Sequence, residues 1–175
     1  AANLAGKVEL AEGEVTVADK TKRQRRVAVG DSIYEGEGIV TGKDGELHLD
    51  MEDGGFIAVR PNTRMSITTY RAEGDSEDKG IFSLLQGTFR SVTGWIGKYN
   101  PRSYQVRTPT ATIGVRGTDH EPLVIPQGST EGEPGSYDKV NVGGSYIQTR
   151  HGSIDVKPNQ AGFAPWKGRP VPRLL

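Results

Sequence analysis

The side chains that could do metal chemistry are few and far apart. The chain has three histidines, His48, His120 and His151, and only His120 has carboxylates beside it, in Asp119 and Glu121. Imidazole and carboxylate together would suit zinc, but no two histidines are close in sequence and nothing resembles His-Glu-x-x-His. Cysteine is absent, which excludes disulfides and thiolate sites. We therefore expect no metal and no other cofactor.

Motifs of catalysis are missing as well. The sequence has no Gly-x-Ser-x-Gly elbow and no phosphate-binding Gly-x-x-x-x-Gly-Lys-Ser/Thr loop. Glu35 and Glu37 form a pair of carboxylates, but they lie in a glycine-rich turn where solvent would leave them unperturbed. A site assembled from distant residues would escape such a search. We predict that the chain is not an enzyme and name no catalytic residue.

One basic run, Lys20–Arg26, could bind nucleic acid or acidic glycans. It contains no aromatic residue on which a base could stack. It lies between two strand-like segments, Glu14–Val17 and Val27–Val29, so a solvated hairpin tip is the favoured interpretation. The whole chain is balanced, with 22 basic and 22 acidic residues, and we expect no nucleic-acid partner.

Aromatic residues cluster near the middle of the chain. Trp95, Tyr99 and Tyr104 lie in or next to residues 93–102. Exposed together, they would form a platform for a protein partner or a carbohydrate. Alternatively, Trp95 and Ile96 cover the hydrophobic core under a loop, since tryptophan is usually mostly buried. The two interpretations have equal support, and this segment is our first candidate for a binding surface.

Arg116 is the second candidate. It follows a strand-like segment, precedes Gly117 and is close in sequence to Asp119 and Glu121. A guanidinium there could contact an anion or a partner, and we include the two carboxylates in the candidate site. The favoured interpretation is structural: an arginine that bridges strands by bonding turn carbonyls or a carboxylate.

The elements that must position these residues show a period of two. Apolar and polar residues alternate in short segments, as half-buried strands require. These segments are Lys7–Leu10, Glu14–Val17, Glu46–Met51, Met65–Tyr70, Tyr104–Arg107 and Ser153–Val156. The 24 glycines punctuate them with turns, and no dozen-residue window shows a helical stripe. We predict an all-β fold, either a twisted β-sandwich or a short irregular β-solenoid of stacked hairpins.

Composition also divides the chain. We predict one β domain over residues 5–157, with a long surface loop at residues 126–145, which are polar and glycine-rich. Residues 157–175 hold four prolines and four basic residues without an acid. We therefore expect residues 158–175 to be an extended tail on the surface, with Phe163 and Trp166 as anchors.

One dense motif carries a resemblance to a known family. Residues 106–118, VRTPTATIGVRGT, resemble the signature of the FecR family, which is named after the iron-dicitrate sensor of Gram-negative envelopes. Further similar segments follow the family's order over about residues 6–125. They are Val29–Asp31 with Glu35–Glu37, Thr41–Gly42 with Gly45–Leu47, Asp53–Gly55 through Arg60–Thr63, Ser83–Gly87 and Thr118–Glu121.

The resemblance implies a periplasmic β-rich domain that transmits or scaffolds signals through protein contacts. The best-known members are membrane-anchored regulators of sigma factors, whereas this sequence resembles the free-standing secreted members. No stretch approaches the roughly 20 apolar residues of a membrane helix, and we predict no transmembrane segment. We expect a periplasmic or secreted location, with the signal peptide of a precursor removed, and an envelope protein as partner. The alternative function is a sensor that binds a small molecule or glycan near Trp95 and Arg116.

Overall fold

The computed structural model describes residues 2–168 and 171–175, which form strands joined by short turns. The strands in this part of the chain are β1 (Leu4–Glu12), β2 (Val15–Ala18), β3 (Gln24–Arg26), β4 (Ser32–Tyr34), β5 (Gly38–Thr41), β6 (Glu46–Met51), β7 (Phe56–Val59), β8 (Arg64–Arg71), β9 (Lys79–Val92), β10 (Tyr104–Arg107), β11 (Thr112–Val115), β12 (Asp119–Ile125), β13 (Gly135–Val142), β14 (Ser145–Thr149), β15 (Gly152–Val156), β16 (Ala161–Pro165) and β17 (Arg173–Leu174). Helix α1 (Trp95–Tyr99) and a 3₁₀ turn at Pro101–Ser103 lie between β9 and β10.

The strands form two sheets that share β9. The front sheet has the order β3-β2-β5-β8-β9-β10-β11-β14-β15. The back sheet has the order β4-β1-β6-β7-β9-β12-β13-β16-β17. Among these pairs β9–β10 is parallel and the others are antiparallel. The first part of β9 pairs with β8 and β10, and its end pairs with β7 and β12, so one long strand passes from one sheet into the other.

Gly87 lies where β9 changes sheets. Its φ is +84°, a conformation that L-residues with a side chain rarely adopt. A Cβ there would lie 2.4 Å from the Thr63 Oγ1 atom and 2.6 Å from the Thr63 Cα atom. Glycine is therefore required at this crossing, both for the backbone conformation and for the close approach of the neighbouring turn.

One hydrophobic core lies between the sheets. Ile39 and Ile67 reach it from the front sheet, and Leu47 and Leu49 reach it from the back sheet. The alternation that predicted a strand at residues 46–51 is present, since Leu47, Leu49 and Met51 are buried. Burying each such side chain contributes roughly 1.5–3 kcal/mol to folding. The all-β prediction is confirmed, and the two facing sheets correspond to its sandwich alternative.

The predicted loop at residues 126–145 is wrong in its second half. Residues 135–142 form β13, which pairs with β12 on one side and β16 on the other. Ser136, Asp138 and Val140 point into the core. Because two of these three inward residues are polar, the alternation of apolar and polar residues that marks a strand is absent from the sequence.

The end of the chain adds to the back sheet. Residues Ala161–Pro165 form β16, and Phe163 is 1% exposed and stacks on Tyr137 at 4.4 Å between ring centroids. Trp166 is partly buried against the core. Both expected anchors thus contact the domain. The domain boundary after residue 157 stays a prediction. Strand β16, which follows that boundary, pairs with β13 of the domain.

The basic run forms the turn between β2 and β3 and then β3 itself. Asp19 orders this turn, because its Oδ1 atom accepts hydrogen bonds from the Thr21 and Arg23 amides at 2.8 and 3.0 Å. The second strand of the hairpin is Gln24–Arg26, and the predicted Val27–Val29 segment lies outside any strand. The hairpin interpretation was therefore correct, but its second strand is Gln24–Arg26, which lies inside the basic run and directly before the predicted segment.

Candidate binding surface

Helix α1 begins directly on the β6–β7 hairpin. The carbonyl of Asp53 accepts a hydrogen bond from the Trp95 amide at 2.9 Å. The buried Asp53 carboxylate accepts hydrogen bonds from the Gly55 amide at 3.0 Å and the Ile96 amide at 3.4 Å. Gly94 leaves space for this contact, because a Cβ there would lie 2.1 Å from the Asp53 carbonyl oxygen. Asp53 therefore fixes where the helix starts.

Trp95 is held by a second buried aspartate. Its indole N–H donates a hydrogen bond to the Asp78 Oδ2 atom at 2.9 Å, and Asp78 is 1% exposed. The Asp78 carboxylate also accepts hydrogen bonds from the Glu73 and Gly74 amides. Burial acts to raise the pKa of Asp78, but the donors from Glu73, Trp95 and Gly74 outweigh it and hold that pKa below its ordinary value. This geometry favours the interpretation that Trp95 covers the core.

Tyr99, at the end of the same helix, is 80% exposed. Ile96, near the start of the same helix, is buried in the core. Asn100 ends the helix and donates a side-chain hydrogen bond to the Asp75 carbonyl at 3.3 Å. The helix thus presents an exposed aromatic ring on a support that is fixed on several sides. We call this surface, made by α1 and residues 100–102, the helix corner.

Tyr104 lies in the core, at 4% exposure, where a surface partner would not reach it. Its hydroxyl shares hydrogen bonds with the Ser91 hydroxyl at 2.8 Å and the His120 Nε2 atom at 3.0 Å. Burial raises the pKa of Tyr104. The His120 Nδ1 atom is 2.8 Å from an oxygen of Asp138, whose other oxygen accepts a hydrogen bond from Ser145 at 2.7 Å. These five buried side chains, the core polar chain, link the two sheets.

Asp119 and Glu121 form hydrogen bonds with residues other than Arg116. The carboxylate of Asp119 accepts two hydrogen bonds from the Arg90 guanidinium, at 3.0 and 2.6 Å, and the side-chain amide of Asn141 donates to both acids. The Arg90 hydrogen bonds hold the pKa of Asp119 below its ordinary value. The Asp119 carboxylate is therefore paired with Arg90 of the adjacent strand β9.

Arg116 is exposed, and its guanidinium makes no hydrogen bond or ion pair within the described residues. The structural role expected of Arg116 belongs instead to Gly117 and Thr118. Gly117, at φ +61°, donates its N–H to the Gly97 carbonyl of α1 at 2.9 Å. The Thr118 hydroxyl donates to the Gly144 carbonyl at 2.6 Å. The end of the signature motif therefore joins the helix corner to the β13–β14 turn.

The start of the signature motif is also structural. The hydroxyls of Thr108 and Thr110 both lie 2.6 Å from the Ser136 hydroxyl on β13. Thr110 also hydrogen-bonds the Ala164 carbonyl of β16 at 3.1 Å. The Thr-Pro-Thr turn of the front sheet is thereby fastened to the back sheet.

The remaining candidate groups are dispersed. His48 bonds Glu46 at 2.7 Å and packs edge-on against Phe56. Glu37, expected in a solvated turn, is buried and forms a two-pronged ion pair with Arg25. Across residues 2–168 and 171–175, no group of three or more His, Asp and Glu side chains is arranged to hold a metal ion. No helix in that part of the chain is long and apolar enough to span a membrane.

Sequence reasoning missed the two aspartates that build the helix corner. Asp53 precedes two glycines and was interpreted only as part of a turn, although a buried carboxylate is what begins α1. Asp78 follows an acidic surface stretch and has no distinctive neighbour in the sequence. A helix of five residues is also too short to show a periodic pattern.

Comparisons with known proteins agree with this architecture. The family model described as FecR protein matches residues 37–131. No curated protein matches the chain.

Two crystal structures of a candidate anti-sigma factor from Parabacteroides distasonis ATCC 8503, at 1.65 and 2.50 Å resolution, each have a TM-score of 0.58 and 16% sequence identity. Each match covers 78% of this chain and 59% of that protein, so it concerns the fold of part of a longer chain. A cell surface anchoring domain matches 42% of this chain and 99% of its own length, with 25% identity and a TM-score of 0.39.

Proposed function

The chain belongs to the FecR family, and from that premise we propose that it is a non-catalytic binding or scaffolding protein of envelope signalling. It acts through protein–protein contacts, in the periplasm or outside the cell. The family match and the likeness in fold to a candidate anti-sigma factor support a signalling role. Of the six candidate residues, Trp95, Tyr104 and Asp119 support the structure, while Tyr99 is free to contact a partner.

The observation that carries this proposal is the exposure of Tyr99 on a rigid support. Tyrosine supplies a large contact area with few rotatable bonds, and such residues dominate binding energy at interfaces. The hydrogen bonds that Trp95 and Ile96 donate to Asp78 and Asp53 already hold the helix in place. A partner that binds Tyr99 therefore orders little beyond one side chain, which lowers the entropic cost of association.

The rim of the helix corner is charged with both signs. Lys98 and Arg102 are exposed beside Tyr99, and the β8–β9 turn that contacts Asn100 carries exposed Glu73 and Asp75. An aromatic centre with a polar rim is the usual anatomy of a protein interface. The partner we expect has an apolar pocket for the tyrosine ring, surrounded by mixed charge.

The test is crosslinking in cells of the source organism. A photoreactive residue replaces Tyr99 in one variant and Lys43, on the exposed β5–β6 hairpin, in a control. We expect one envelope protein to be crosslinked from position 99 and not from position 43. The Tyr99→Ala variant should lose co-purification of that protein while keeping its fold. Equal crosslinking from both positions, or none from either, would contradict the proposal.

The sensor alternative places a ligand near Trp95 and Arg116. Trp95 donates its N–H to Asp78, whereas Arg116 lines a different cavity of about 180 Å³ with Tyr146 and Lys157. The lining of this cavity does not include Trp95. The cavity that Arg116 lines lies on the front sheet, beside β14 and β15.

A further inference from the structure

The outer face of the front sheet carries a continuous row of polar side chains. Arg107 on β10 pairs with Thr112 on β11, Thr112 pairs with Gln148 on β14, and Gln148 pairs with Ser153 on β15. Their sequence neighbours Val106, Ile113 and Ile147 are buried, which places the row on the solvent side. Arg107, Thr112 and Gln148, together with the loops after β10 and β14, line an open groove of about 610 Å³.

A tyrosine lies flat on the sheet beside this groove. Tyr146 on β14 pairs with Gly114 on β11, and Gly114 pairs with Gln105 on β10. A Cβ on Gly114 would lie 2.1 Å from the Tyr146 Cζ atom and 2.3 Å from its hydroxyl oxygen. The ring therefore covers the glycine backbone, and Gly114 is the residue that lets it do so. Since Tyr146 is partly exposed, its outward side is available for stacking.

The charge of this face is strongly positive, although the chain has no net charge. Arg107 and Arg150 line the groove on one side of Tyr146, and Arg116 and Lys157 line the 180 Å³ cavity on the other side. Within the described chain these four cations make no ion pair, and Arg107 bonds only the Gln105 side-chain oxygen, at 3.2 Å. The linings of the groove and the cavity include one carboxylate, Asp155. Four unpaired cations are suited to an anionic ligand.

We propose that this face binds an acidic oligosaccharide, a sugar chain that carries carboxylates. A sugar ring stacks on Tyr146, Arg107 and Arg150 bind carboxylates, and the Gln105 and Gln148 amides hydrogen-bond hydroxyls. Arginine suits a carboxylate because its planar fork donates two parallel hydrogen bonds. The inference is independent of the helix corner and goes beyond the proposed function.

The extent of the face favours a chain over a small anion. Arg107 is opposite Thr112 at the start of β11, and Arg116 directly follows the end of β11. At roughly 3.3 Å per strand residue, the four steps from Thr112 to Arg116 span about 13 Å. Cations at both ends of this span, with an aromatic ring between them, match an elongated ligand with repeated acidic groups.

The experiment measures binding of trigalacturonate to the whole protein by isothermal titration calorimetry and protein NMR. Neutral maltotriose tests the need for charge, and citrate tests whether a small carboxylate suffices. We expect saturable binding of trigalacturonate, weakened by added salt, with NMR shifts at Tyr146 and Gln148. Maltotriose and citrate should bind at least about tenfold more weakly, the change in affinity that about 1.4 kcal/mol of interaction free energy produces.

Variants locate the site. The double variant Arg107→Gln/Arg150→Gln should weaken trigalacturonate about tenfold or more, as expected for losing charge-assisted hydrogen bonds. Arg23→Gln, which replaces another exposed arginine on the β2–β3 hairpin, should leave the affinity unchanged. Gly114→Ala should displace the Tyr146 ring and weaken binding, and Tyr146→Leu serves as the second variant if Gly114→Ala does not fold.

Several results would overturn the proposal. These are no binding of trigalacturonate, equal binding of maltotriose, equal binding of citrate, or an equal loss in Arg23→Gln. The Tyr99→Ala variant separates this inference from the proposed function, because it should weaken partner binding and leave trigalacturonate affinity unchanged. Loss of both activities in Tyr99→Ala would contradict the independence of the two surfaces.

Discussion

Replacing Asp138 by alanine should destabilise the protein severely. Its carboxylate is completely buried and accepts hydrogen bonds from the His120 Nδ1 atom at 2.8 Å and the Ser145 hydroxyl at 2.7 Å, since a carboxylate only accepts. Asp138→Ala leaves two buried donors without an acceptor, and each costs about 1–3 kcal/mol. We therefore expect Asp138→Ala to lower the free energy of unfolding by about 2–6 kcal/mol. Domains of this kind have about 5–15 kcal/mol in total.

The assay is urea unfolding followed by tryptophan fluorescence, with the slope m compared between variants to confirm that the same surface unfolds. Asp138→Asn keeps one acceptor oxygen and should lose less than Asp138→Ala. Glu77→Ala, which removes an exposed carboxylate, is the matched control and should stay within about 0.5 kcal/mol of the parent. A loss below about 1 kcal/mol for Asp138→Ala, with unchanged m, would refute the reasoning that the core polar chain links the sheets.

Three further perturbations test the framework of the fold. Trp95→Phe removes the hydrogen bond to Asp78 and should cost about 1.5–3 kcal/mol in urea unfolding, whereas no change would mean that packing alone places the indole. The Arg90 hydrogen bonds lower the pKa of Asp119, so its stabilisation is present above the ordinary aspartate pKa of about 3.9 and is lost as pH falls through the lower folded value. Asp119→Asn should therefore flatten the fall of stability below about pH 4, and a curve parallel to the parent's would contradict this. Deleting residues 158–175 removes β16 and should abolish cooperative thermal unfolding, while a truncated protein with the parent's melting temperature would place the domain boundary at 157.

The fold class follows from the sequence because its strands are short, alternating and separated by glycine turns. Leu47 and Leu49 show this well, since both fall on the buried face that alternation assigns to them. The alternation of apolar and polar residues did not predict β13, because Ser136 and Asp138 point into the core. Their polar groups form hydrogen bonds with Thr108 and His120. Those partners are brought together only by the fold, so no local pattern could have indicated the strand.

The candidate surface was predicted only in part for the same reason. Tyr99 and Tyr104 look alike in the sequence, and one is exposed while the other is buried against His120. Their difference depends on where β10 meets β12 across the core, which is a long-range property. Arg116 was expected to bond turn carbonyls or a carboxylate, and it is exposed. The nearby Asp119 carboxylate is bound by Arg90 instead. Pairing partners of charged residues are set by sheet register, which the sequence does not specify.

The most direct test of the central proposal is the affinity of the crosslinked partner for three forms of the purified protein: the parent, Tyr99→Ala and Tyr99→Phe. An interface anchor of this kind contributes about 2 kcal/mol or more, so Tyr99→Ala should weaken the dissociation constant by roughly 30-fold or more. Tyr99→Phe keeps the ring and should retain most of the affinity. Undiminished binding by Tyr99→Ala, with its fold intact, would show that the partner binds elsewhere and would contradict the helix corner as the signalling surface.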